Sequence, residues 1–408
     1  MTSVNRAEIA VVGGGPAGAA VAIALAREGH ETVLFERLPR PRWRAAGVYS
    51  SPLTRRRLLA LGLPDEDVER LIRPISAMVV QSVDQTARCR LEYAAGQHAC
   101  GLDRVRLEQR LLDHARAQGV AVHEGSPVIS LDLAERRPTL TVSGLDGPRS
   151  WRAALVVGAD GPSSLVARSA RVSLGSRFFR RAALTVHRTD PAASPPGTPM
   201  EAEMLVGSGW YCGIAPVPDG RVNLGLVLGE AELRRQLRRQ LRPSGGTAGL
   251  MARMLADLPG PGRAWSACPA SDEIRVALPL AHRVERAAGR NFVLVGDAAG
   301  FIDPLSGEGL QRAFASAELA ASAIDAWSGG RRGALADYDR RLRARFRSKN
   351  VLSWLLQGFL TNPWLAGRAL RNLERRGDLR HTFSLALADM LPASRVLDPR
   401  YLARVLAP

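Results

Sequence analysis

The stretch that decides the fold is residues 7–27, AEIAVVGGGPAGAAVAIALAR. Its first six residues, 7–12, form an apolar run that predicts a buried strand, and the alanine-rich residues after Gly18 predict a helix. Between them Gly13, Gly15 and Gly18 form a G-x-G-x-x-G motif. In this strand–turn–helix context the motif predicts a unit that binds a dinucleotide, with the pyrophosphate on the free N–H groups of the helix N-terminus.

Each glycine of the motif has its own reason to be glycine. Gly13 permits a tight turn, Gly15 lets the backbone approach the pyrophosphate, and Gly18 lets the helix pack closely on the strand. A second predicted strand, residues 31–35, ends at Glu36, 21 positions after Gly15. An acid near this spacing accepts hydrogen bonds from the ribose. The glycines could form a purely structural turn, but the position of Glu36 favours a dinucleotide site.

Length and composition are those of an ordinary globular protein. The chain has 408 residues, enough for two domains, with 46% hydrophobic and 23% charged residues. It contains neither a long uncharged apolar run nor a signal-peptide pattern, so we expect a cytoplasmic protein without a membrane span. The cysteines lack C-x-x-C spacing, which fits a reducing compartment and predicts no metal site. They are Cys89, Cys100, Cys212 and Cys268.

The net charge of +17 comes from 55 arginines and a single lysine, Lys349. Such a charge should attract phosphates, acidic lipid surfaces or an acidic carrier protein. Nucleic acid does not fit, because the arginines are dispersed, aromatic residues make up only 5% of the chain and no nucleic-acid-binding motif is present. The histidines show no spacing typical of catalysis and are expected to be structural.

Later segments predict the architecture. Short alternating strands between residues 172 and 285 indicate a sheet-based domain, and a buried strand at 291–295 followed by a helix at 309–327 returns to the α/β pattern. We therefore expect an α/β protein with an α+β substrate domain. The predicted nucleotide-binding domain is discontinuous and comprises residues 1–75, 100–170 and 286–330. The predicted substrate domain comprises residues 76–99 and 171–285, and a helical C-terminal region follows at 331–408.

Three motifs occur in order along the chain. They are the glycine motif with Glu36, then Asp160-Gly161, then Gly296-Asp297 continuing to Gly309. This set resembles the FAD-dependent oxidoreductases of the p-hydroxybenzoate hydroxylase superfamily, which include flavin-dependent halogenases and geranylgeranyl reductases. The resemblance implies a Rossmann-like FAD-binding domain, FAD as cofactor, and NAD(P)H or another reductant as electron donor.

The same resemblance implies roles for single residues. Asp297 would bind the ribityl hydroxyls, and Arg104 would reach toward the flavin. The loop before the helix at Gly309 would stabilise the reduced flavin through its N–H groups and dipole. Asp160 would serve the cofactor, although Asp-Gly pairs are also common in plain turns. The full set of implied cofactor-binding residues is Gly13, Gly15, Pro16, Ala17, Gly18, Glu36, Arg37, Arg44, Gly47, Arg104, Val128, Asp160, Gly161, Gly296, Asp297, Pro304, Gly307, Gly309 and Leu310.

Within the superfamily, residues 300–309 resemble the geranylgeranyl reductase branch. Two positions depart from that branch: Ala46 stands where it has a cysteine, and Gly213 stands where it has an aromatic residue in the strand from Tyr211 to Pro216. The loss of an aromatic side chain should reshape the pocket. We therefore expect a hydrophobic or aromatic small molecule as substrate, either free, lipid-like or tethered to a carrier. The substrate need not be a polyprenyl chain.

The resemblance leaves several chemistries open. A double-bond reductase is the leading interpretation, and a flavin-dependent monooxygenase that hydroxylates its substrate is the alternative. A lysine-dependent halogenase is disfavoured because Lys349 lies far along the sequence from the flavin motifs, so a halogenase would have to be lysine-independent. The non-enzymatic alternative is a flavin-binding partner of an acidic carrier protein.

Few side chains outside the motifs suggest a role. Tyr211 is the candidate proton donor, with sheet packing as the other interpretation. Trp354, Trp364 and the leucines around them would form either a membrane-peripheral groove or a helical cap over the substrate cavity.

Overall fold

The computed structural model describes residues 4–144, 147–174, 181–190, 194–239, 246–258, 268–278, 281–303, 305 and 307–407. Its strands are β1 Asn5–Val12, β2 Thr32–Phe35, β3 Tyr49–Ser50, β4 Ile72–Ser82, β5 Arg88–Glu92, β6 Ala99–Leu102, β7 Ala121–His123, β8 Val128–Asp132, β9 Thr139–Gly144, β10 Gly147–Gly158, β11 Ser173–Leu174, β12 Arg181–Thr189, β13 Met200–Gly207, β14 Trp210–Val217, β15 Arg221–Gly229, β16 Arg275–Ala277, β17 Arg283–Val284 and β18 Phe292–Leu294. Its helices are α1 Pro16–Arg27, α2 Leu53–Ala60, α3 Asp65–Leu71, α4 Arg104–Ala117, α5 Leu165–Ser169, α6 Glu230–Arg239, α7 Gly246–Ala256, α8 Gly309–Ser328, α9 Ala334–Thr361, α10 Pro363–Arg375, α11 Gly377–Leu387 and α12 Pro399–Leu406.

The first sheet is built on a parallel core. Its strand order is β7-β2-β1-β10-β9-β8, with β18 also pairing with β10. Strands β1, β2, β7, β10 and β18 run parallel, whereas β9 pairs antiparallel with both β10 and β8. The last four residues of β1 are buried, as expected for a strand covered on both faces. Helix α1 packs between this sheet and helix α8, and its alanine-rich surface permits close approach.

Four neighbouring strands of this sheet end at the same edge. Val12 is in register with Phe35 and with Gly158, and Gly158 is in register with Leu294. The glycine turn, Glu36, Asp160 and Gly296 each follow one of these strand ends in the chain. Ligands of doubly wound sheets bind outside the carboxyl ends of the strands. The topology therefore brings the three sequence motifs to one edge of the sheet.

The second sheet has the order β16-β12-β15-β14-β13-β4-β6-β3, with β5 paired to β4. One face packs on α7 through a core that contains Leu224, Leu226 and Met251. The other face packs under the C-terminal helices through a core that contains Trp43, Met78 and Ala215. The second sheet is thus covered on both faces, and the C-terminal helices cap the face that carries residues 211, 213 and 215.

The predicted fold class is confirmed, and local signals explain most element boundaries. Asp103 accepts hydrogen bonds from the N–H groups of Val105 and Arg106 and so starts α4. Helix α9 ends just before Pro363, which begins α10. The apolar face that residues 230–242 would form predicts a helix there. Helix α6 is observed for residues 230–239, and residues 240–245 lie outside the described part. None of the described helices has both the length and the apolar character needed to cross a bilayer.

Candidate cofactor and substrate site

The glycine turn has the geometry that the motif predicts. Gly13 adopts φ +108°, a conformation that side chains disfavour. A Cβ on Gly18 would lie 1.9 Å from the carbonyl oxygen of Gly13, so only glycine fits where α1 meets the turn. A Cβ on Gly15 would meet no atom within 4 Å. The turn is therefore tightly packed on the protein side and open at Gly15, beside the uncapped N-terminus of α1 that begins with Pro16 and Ala17.

Glu36 is fixed by backbone hydrogen bonds. Its Oε2 accepts from the Gly14 N–H at 2.7 Å and its Oε1 from the Leu38 N–H at 3.0 Å. The backbone N–H of Ser126 donates to the carbonyl oxygen of Glu36, which brings the loop that leads to Val128 against the same strand end. Each carboxylate oxygen keeps a further lone pair for a ligand hydroxyl. Arg37, the next residue, is exposed.

The two carboxylate oxygens of Asp160 differ in their contacts: one accepts backbone hydrogen bonds and the other has no partner among the described residues. Its Oδ2 accepts the Leu165 N–H at 2.6 Å and the Val166 N–H at 3.3 Å, so it stabilises the start of α5. Its Oδ1 is buried and has no hydrogen-bond partner among the described residues. Burial raises the pKa of Asp160, against the lowering effect of the hydrogen bonds it accepts. Gly161 next to it has φ +77° and open space at its Cβ position. The structural role accounts for one oxygen, and the other remains for a ligand.

Two arginines that were predicted to bind the cofactor both donate hydrogen bonds to Glu108, a residue that the motifs did not indicate. Arg44 Nη2 donates to Glu108 Oε2 at 2.6 Å, and Arg104 Nη2 donates to Glu108 Oε1 at 3.1 Å. Arg104 Nη1 also donates to the carbonyl oxygen of Gly47 at 2.9 Å. Burial alone would lower the pKa of Arg44, but the Glu108 carboxylate raises it overall. The arginine-rich loop is thereby tied to α4, and the one sequence signal for Glu108 was its position four residues after Arg104.

The third motif lies against the first. Gly296 has φ +59°, and a Cβ there would lie 2.7 Å from the Cβ of Ala17. Its N–H donates to Ser316 Oγ at 2.8 Å. Asp297 follows in a 3-10 turn. Burial raises the pKa of Asp297, and the nearby Arg312 and Arg104 lower it, with a net upward shift.

The loop that follows leads to the N-terminus of α8. Gly307 has φ +66° and packs against the ring of Tyr49. Helix α8 begins at Gly309 without a side-chain cap, and Leu310 behind it is buried. The free N–H groups of this helix therefore point into the loop. Pro304, also predicted to bind the cofactor, lies outside the described residues.

These features together fit FAD. The turn at Gly15 leaves room for a pyrophosphate beside an uncapped helix N-terminus, Glu36 is placed for ribose hydroxyls, and a buried oxygen of Asp160 has no described partner. Asp297 and the uncapped start of α8 would hold the other end of the molecule. Among the described residues, no cluster of His, Cys, Asp and Glu is arranged to hold a metal ion.

An apolar cavity lies beside the α8 loop. It encloses about 130 Å³ between the second sheet and the C-terminal helices. All its lining side chains are apolar except Tyr49 and Tyr401, whose hydroxyls bond to Tyr93 and to the carbonyl oxygen of Leu379. An apolar cavity of about 150 Å³ binds benzene. The cavity is partly open and therefore accepts one ring or part of a longer apolar molecule. Lining residues from the different elements include Met78, Met204, Leu305, Leu356 and Leu370.

The two interpretations of the C-terminal helices now separate. The leucines of α9 and α10 line the cavity, so these helices act as its cap. Trp354 and Trp364 point the other way and are 41% and 66% exposed. A membrane-surface role for the tryptophans remains a prediction.

Tyr211 lies next to the loop between Asp303 and α8, here called the flavin loop, and its hydroxyl faces Asp303. Its hydroxyl donates to Asp303 Oδ1 at 2.7 Å, and the same oxygen accepts the Leu305 N–H at 2.9 Å. Burial raises the pKa of Tyr211 well above its usual value, and the Asp303 carboxylate raises it further. Tyr211 does not line the cavity. Its observed contact therefore positions Asp303 and the loop, and its role as proton donor remains a prediction.

Lys349 was expected to lie far from the flavin motifs, but in the folded protein it lies next to one of them. Its Nζ lies 3.0 Å from Glu308 Oε1, and Glu308 immediately precedes α8. The same Nζ donates to the carbonyl oxygens of Ala386 at 2.8 Å and Leu387 at 3.2 Å. Lys349 is buried and does not line the cavity. Lys349 thus donates two hydrogen bonds to carbonyl oxygens and forms ion pairs with Glu308 and, at 3.7 Å, with Asp389, which explains its burial as structural.

Replacing Asp297 by asparagine should separate stability from cofactor binding. The pKa of Asp297 is higher in the folded protein than in the unfolded chain, so the ionised carboxylate destabilises the fold. The loss of stability begins as the pH rises above the unfolded-chain pKa and is complete above the folded-state pKa. Asp297→Asn should therefore stabilise the FAD-free protein at pH 7 by about 1 kcal/mol. It should also weaken FAD binding about tenfold, because a charged acceptor is lost. Denaturant unfolding without FAD and a flavin titration measure the two effects. Lower stability of the FAD-free variant would contradict this assignment.

Comparison with known proteins supports the geometry. The sequence profile of a family described as "FAD binding domain" matches residues 6–206. A flavin-dependent halogenase of Armillaria mellea is 28% identical over 345 residues, which cover 79% of this chain and 65% of the halogenase. A menaquinone reductase of Mycobacterium tuberculosis is 28% identical over 341 residues, which cover 79% of this chain and 77% of the reductase. The chain thus spans only about two thirds of the halogenase.

A solved structure shows the same fold over the whole chain. It is a geranylgeranyl bacteriochlorophyll reductase-like protein of Thermoplasma acidophilum, with a TM-score of 0.75 and 18% identity. The match covers 97% of this chain and 100% of that chain. The predicted combination of a Rossmann-like domain, a second sheet and a helical C-terminal region is therefore a known architecture.

Proposed function

We propose that the chain, whose residues 6–206 match the FAD binding domain family, is a flavin-dependent enzyme that reduces a carbon–carbon double bond of an apolar small molecule. FAD, confirmed as the cofactor by this family, supplies the hydride chemistry when bound and reduced. NAD(P)H or another reductant would supply the electrons. The chain's own residues would hold the cofactor at the strand ends and exclude water from the substrate.

The observation that carries the proposal is the apolar cavity beside Leu305. Leu305 belongs to the loop between Asp303 and α8, so the cavity adjoins the predicted flavin position. Its lining includes no charged side chain, and the two tyrosine hydroxyls at its border are bonded elsewhere. Such a surface binds hydrocarbon by burial of apolar area. It offers nothing to hold a charged substrate.

Two further points favour reduction over halogenation. The described chain carries its lysine in a closed contact with Glu308 and two carbonyl oxygens, so it is not available to a reactant. The alignment with the menaquinone reductase also covers more of that protein, 77%, than the 65% covered in the halogenase.

The direct test is the mass of the product. The FAD-loaded protein would be reduced with dithionite without air and incubated with a menaquinone, an apolar quinone with an unsaturated side chain. Dithionite also converts the quinone ring to the quinol, so the product is reoxidised in air before its mass is measured. We then expect a quinone heavier by two hydrogen atoms per reduced side-chain double bond, and no such gain without the protein. A parallel reaction with NADPH, chloride and air tests the alternatives, because incorporation of oxygen or chlorine would contradict the proposal and support a monooxygenase or a halogenase.

A cavity-filling variant provides the matched control. Leu355→Trp places an indole in the cavity and should lower turnover about 100-fold through displacement of the substrate, with FAD content unchanged. Val351→Trp makes the same change on the same helix at a half-exposed position and should leave turnover unchanged. Equal turnover in the two variants would mean that the reaction takes place elsewhere.

A further inference from the structure

A histidine and an aspartate far apart in sequence form a buried pair on the second sheet. His187 lies on β12, and its Nδ1 is 2.5 Å from Oδ2 of Asp272. The other oxygen of Asp272 accepts the backbone N–H of His187 at 2.9 Å. An ionised carboxylate only accepts hydrogen bonds, so Nδ1 carries the proton. In the neutral ring Nε2 is then an acceptor, and Asp272 fixes this tautomer.

An indole packs on this histidine. The rings of Trp43 and His187 lie 4.2 Å apart with an interplanar angle of 51°. Trp43 is 8% exposed and His187 is 4% exposed. Trp43 Nε1 and His187 Nε2 are both buried, and neither has a hydrogen-bond partner among the described residues. A buried polar atom without a partner costs about 1–3 kcal/mol, so two of them at one place call for a ligand.

The pair lies where the cofactor and the substrate sheet meet. Trp43 directly precedes Arg44 in the loop that is tied to Glu108. His187 is in register with Asn223 on β15, and Asn223 is in register with Ala215 on β14. Residues directly opposite in antiparallel strands share a face, and so do alternate residues along a strand. His187 therefore shares its face with Gly213, the position that lacks the expected aromatic side chain.

The surface between these groups is uncrowded. A Cβ on Gly213 would have Met204 as its nearest neighbour, at 3.6 Å. Met204 also lines the apolar cavity, and Trp43 packs in the same core cluster. Neither Trp43 nor His187 lines the cavity itself, so the two nitrogen atoms form a polar point outside its apolar wall.

We propose that Trp43 and His187 bind a hydroxyl group of the substrate, so that the substrate is an apolar molecule with an alcohol or phenol oxygen. The hydroxyl donates to His187 Nε2 and accepts from the Trp43 N–H, which satisfies both buried atoms. The Trp43 N–H only donates, and a His187 Nε2 without a proton only accepts. A hydroxyl group both donates and accepts, so it can bond to both nitrogen atoms at once. The proposal rests on the proposed function for its place beside the flavin, but not for its test.

The test is a binding comparison of two ligands of the same shape, 4-butylphenol and 4-butyltoluene. Equilibrium dialysis with the oxidised FAD-loaded protein gives both dissociation constants without any turnover. We expect the phenol to bind about tenfold more tightly, which is about 1.4 kcal/mol. Trp43→Phe and His187→Phe should each reduce this ratio to about threefold or less, because each removes one hydrogen bond.

Matched substitutions elsewhere serve as controls. Trp364→Phe and His98→Phe change exposed residues of the same types and should keep the wild-type ratio. Trp43→Phe removes the N–H together with the five-membered ring and keeps one aromatic ring, so it remains informative if His187→Phe does not fold. A ratio near one in the wild-type protein, or an unchanged ratio in Trp43→Phe, would overturn the proposal. Failure of the reduction assay alone would overturn only the proposed reaction.

Discussion

Gly18→Ala is expected to abolish FAD retention. The new methyl group would lie 1.9 Å from the Gly13 carbonyl oxygen and 3.0 Å from the Cβ of Ala159, so the glycine turn must move away from its strand. Both neighbours belong to the packed edge of the sheet and cannot move independently. We expect a loss of at least about 3 kcal/mol of stability and at least a 100-fold weaker FAD affinity. Flavin absorbance per chain and denaturant unfolding measure both.

The same substitution at Gly358 is the control. Gly358 is exposed in α9, and a Cβ there would meet no atom within 4 Å. Since alanine is favoured over glycine in a helix by about 1 kcal/mol, Gly358→Ala should stabilise the protein and leave its FAD content unchanged. Full FAD occupancy in Gly18→Ala would show that the pyrophosphate does not bind at this turn.

Lys349→Met is expected to destabilise the protein by about 3–5 kcal/mol. The substitution removes the Lys349 cation from Glu308 and leaves two carbonyl oxygens without their donor. Because Glu308 precedes α8, the flavin loop should also loosen and FAD affinity should fall. Denaturant unfolding measures the stability change.

Arg347→Met on the same helix provides the comparison, since Arg347 is exposed and its loss should change stability by no more than about 0.5 kcal/mol. A lysine that served halogenation would give the opposite pattern. Lys349→Met would then keep full stability and lose only halide-dependent turnover, which would contradict the structural role assigned here.

The parts of the site that were predictable from sequence are those that follow parallel strands. Gly13, Glu36, Asp160 and Gly296 each come after a buried strand, and parallel strands of one sheet end at a common edge. Their convergence therefore needed no knowledge of the loops. A dinucleotide site and the fold class were predicted for this reason, and the resemblance to the flavin-dependent oxidoreductases identified the dinucleotide as FAD.

The contacts that sequence did not reveal join segments with no common motif. Asp272 reaches His187 across 85 positions, and Lys349 reaches Glu308 from another helix. Strand β12 has apolar residues at alternate positions, 182, 184 and 186, but its other face carries Arg181, Thr185 and His187, and no local pattern indicates that these polar residues are buried. Contacts of this kind depend on how the C-terminal helices and the second sheet pack on the cofactor domain. No local pattern specifies that packing.

The apolar residues of α9 and α10 illustrate an intermediate case. Their spacing indicated an apolar surface. That surface could either cover the substrate cavity or form a groove that faces a membrane. The structure places Leu356 and Leu370 toward the cavity and leaves Trp364 exposed. The periodicity was thus sufficient to find the apolar face, and only the tertiary packing assigned it.

The most direct test of the account is the amount of FAD that each chain binds. The account holds that three separate motifs meet at one edge of the first sheet and bind one FAD. Reconstitution of the purified protein with excess FAD, followed by removal of free flavin and measurement of absorbance after denaturation, should give one FAD per chain. A protein that remains colourless after reconstitution would contradict the central claim.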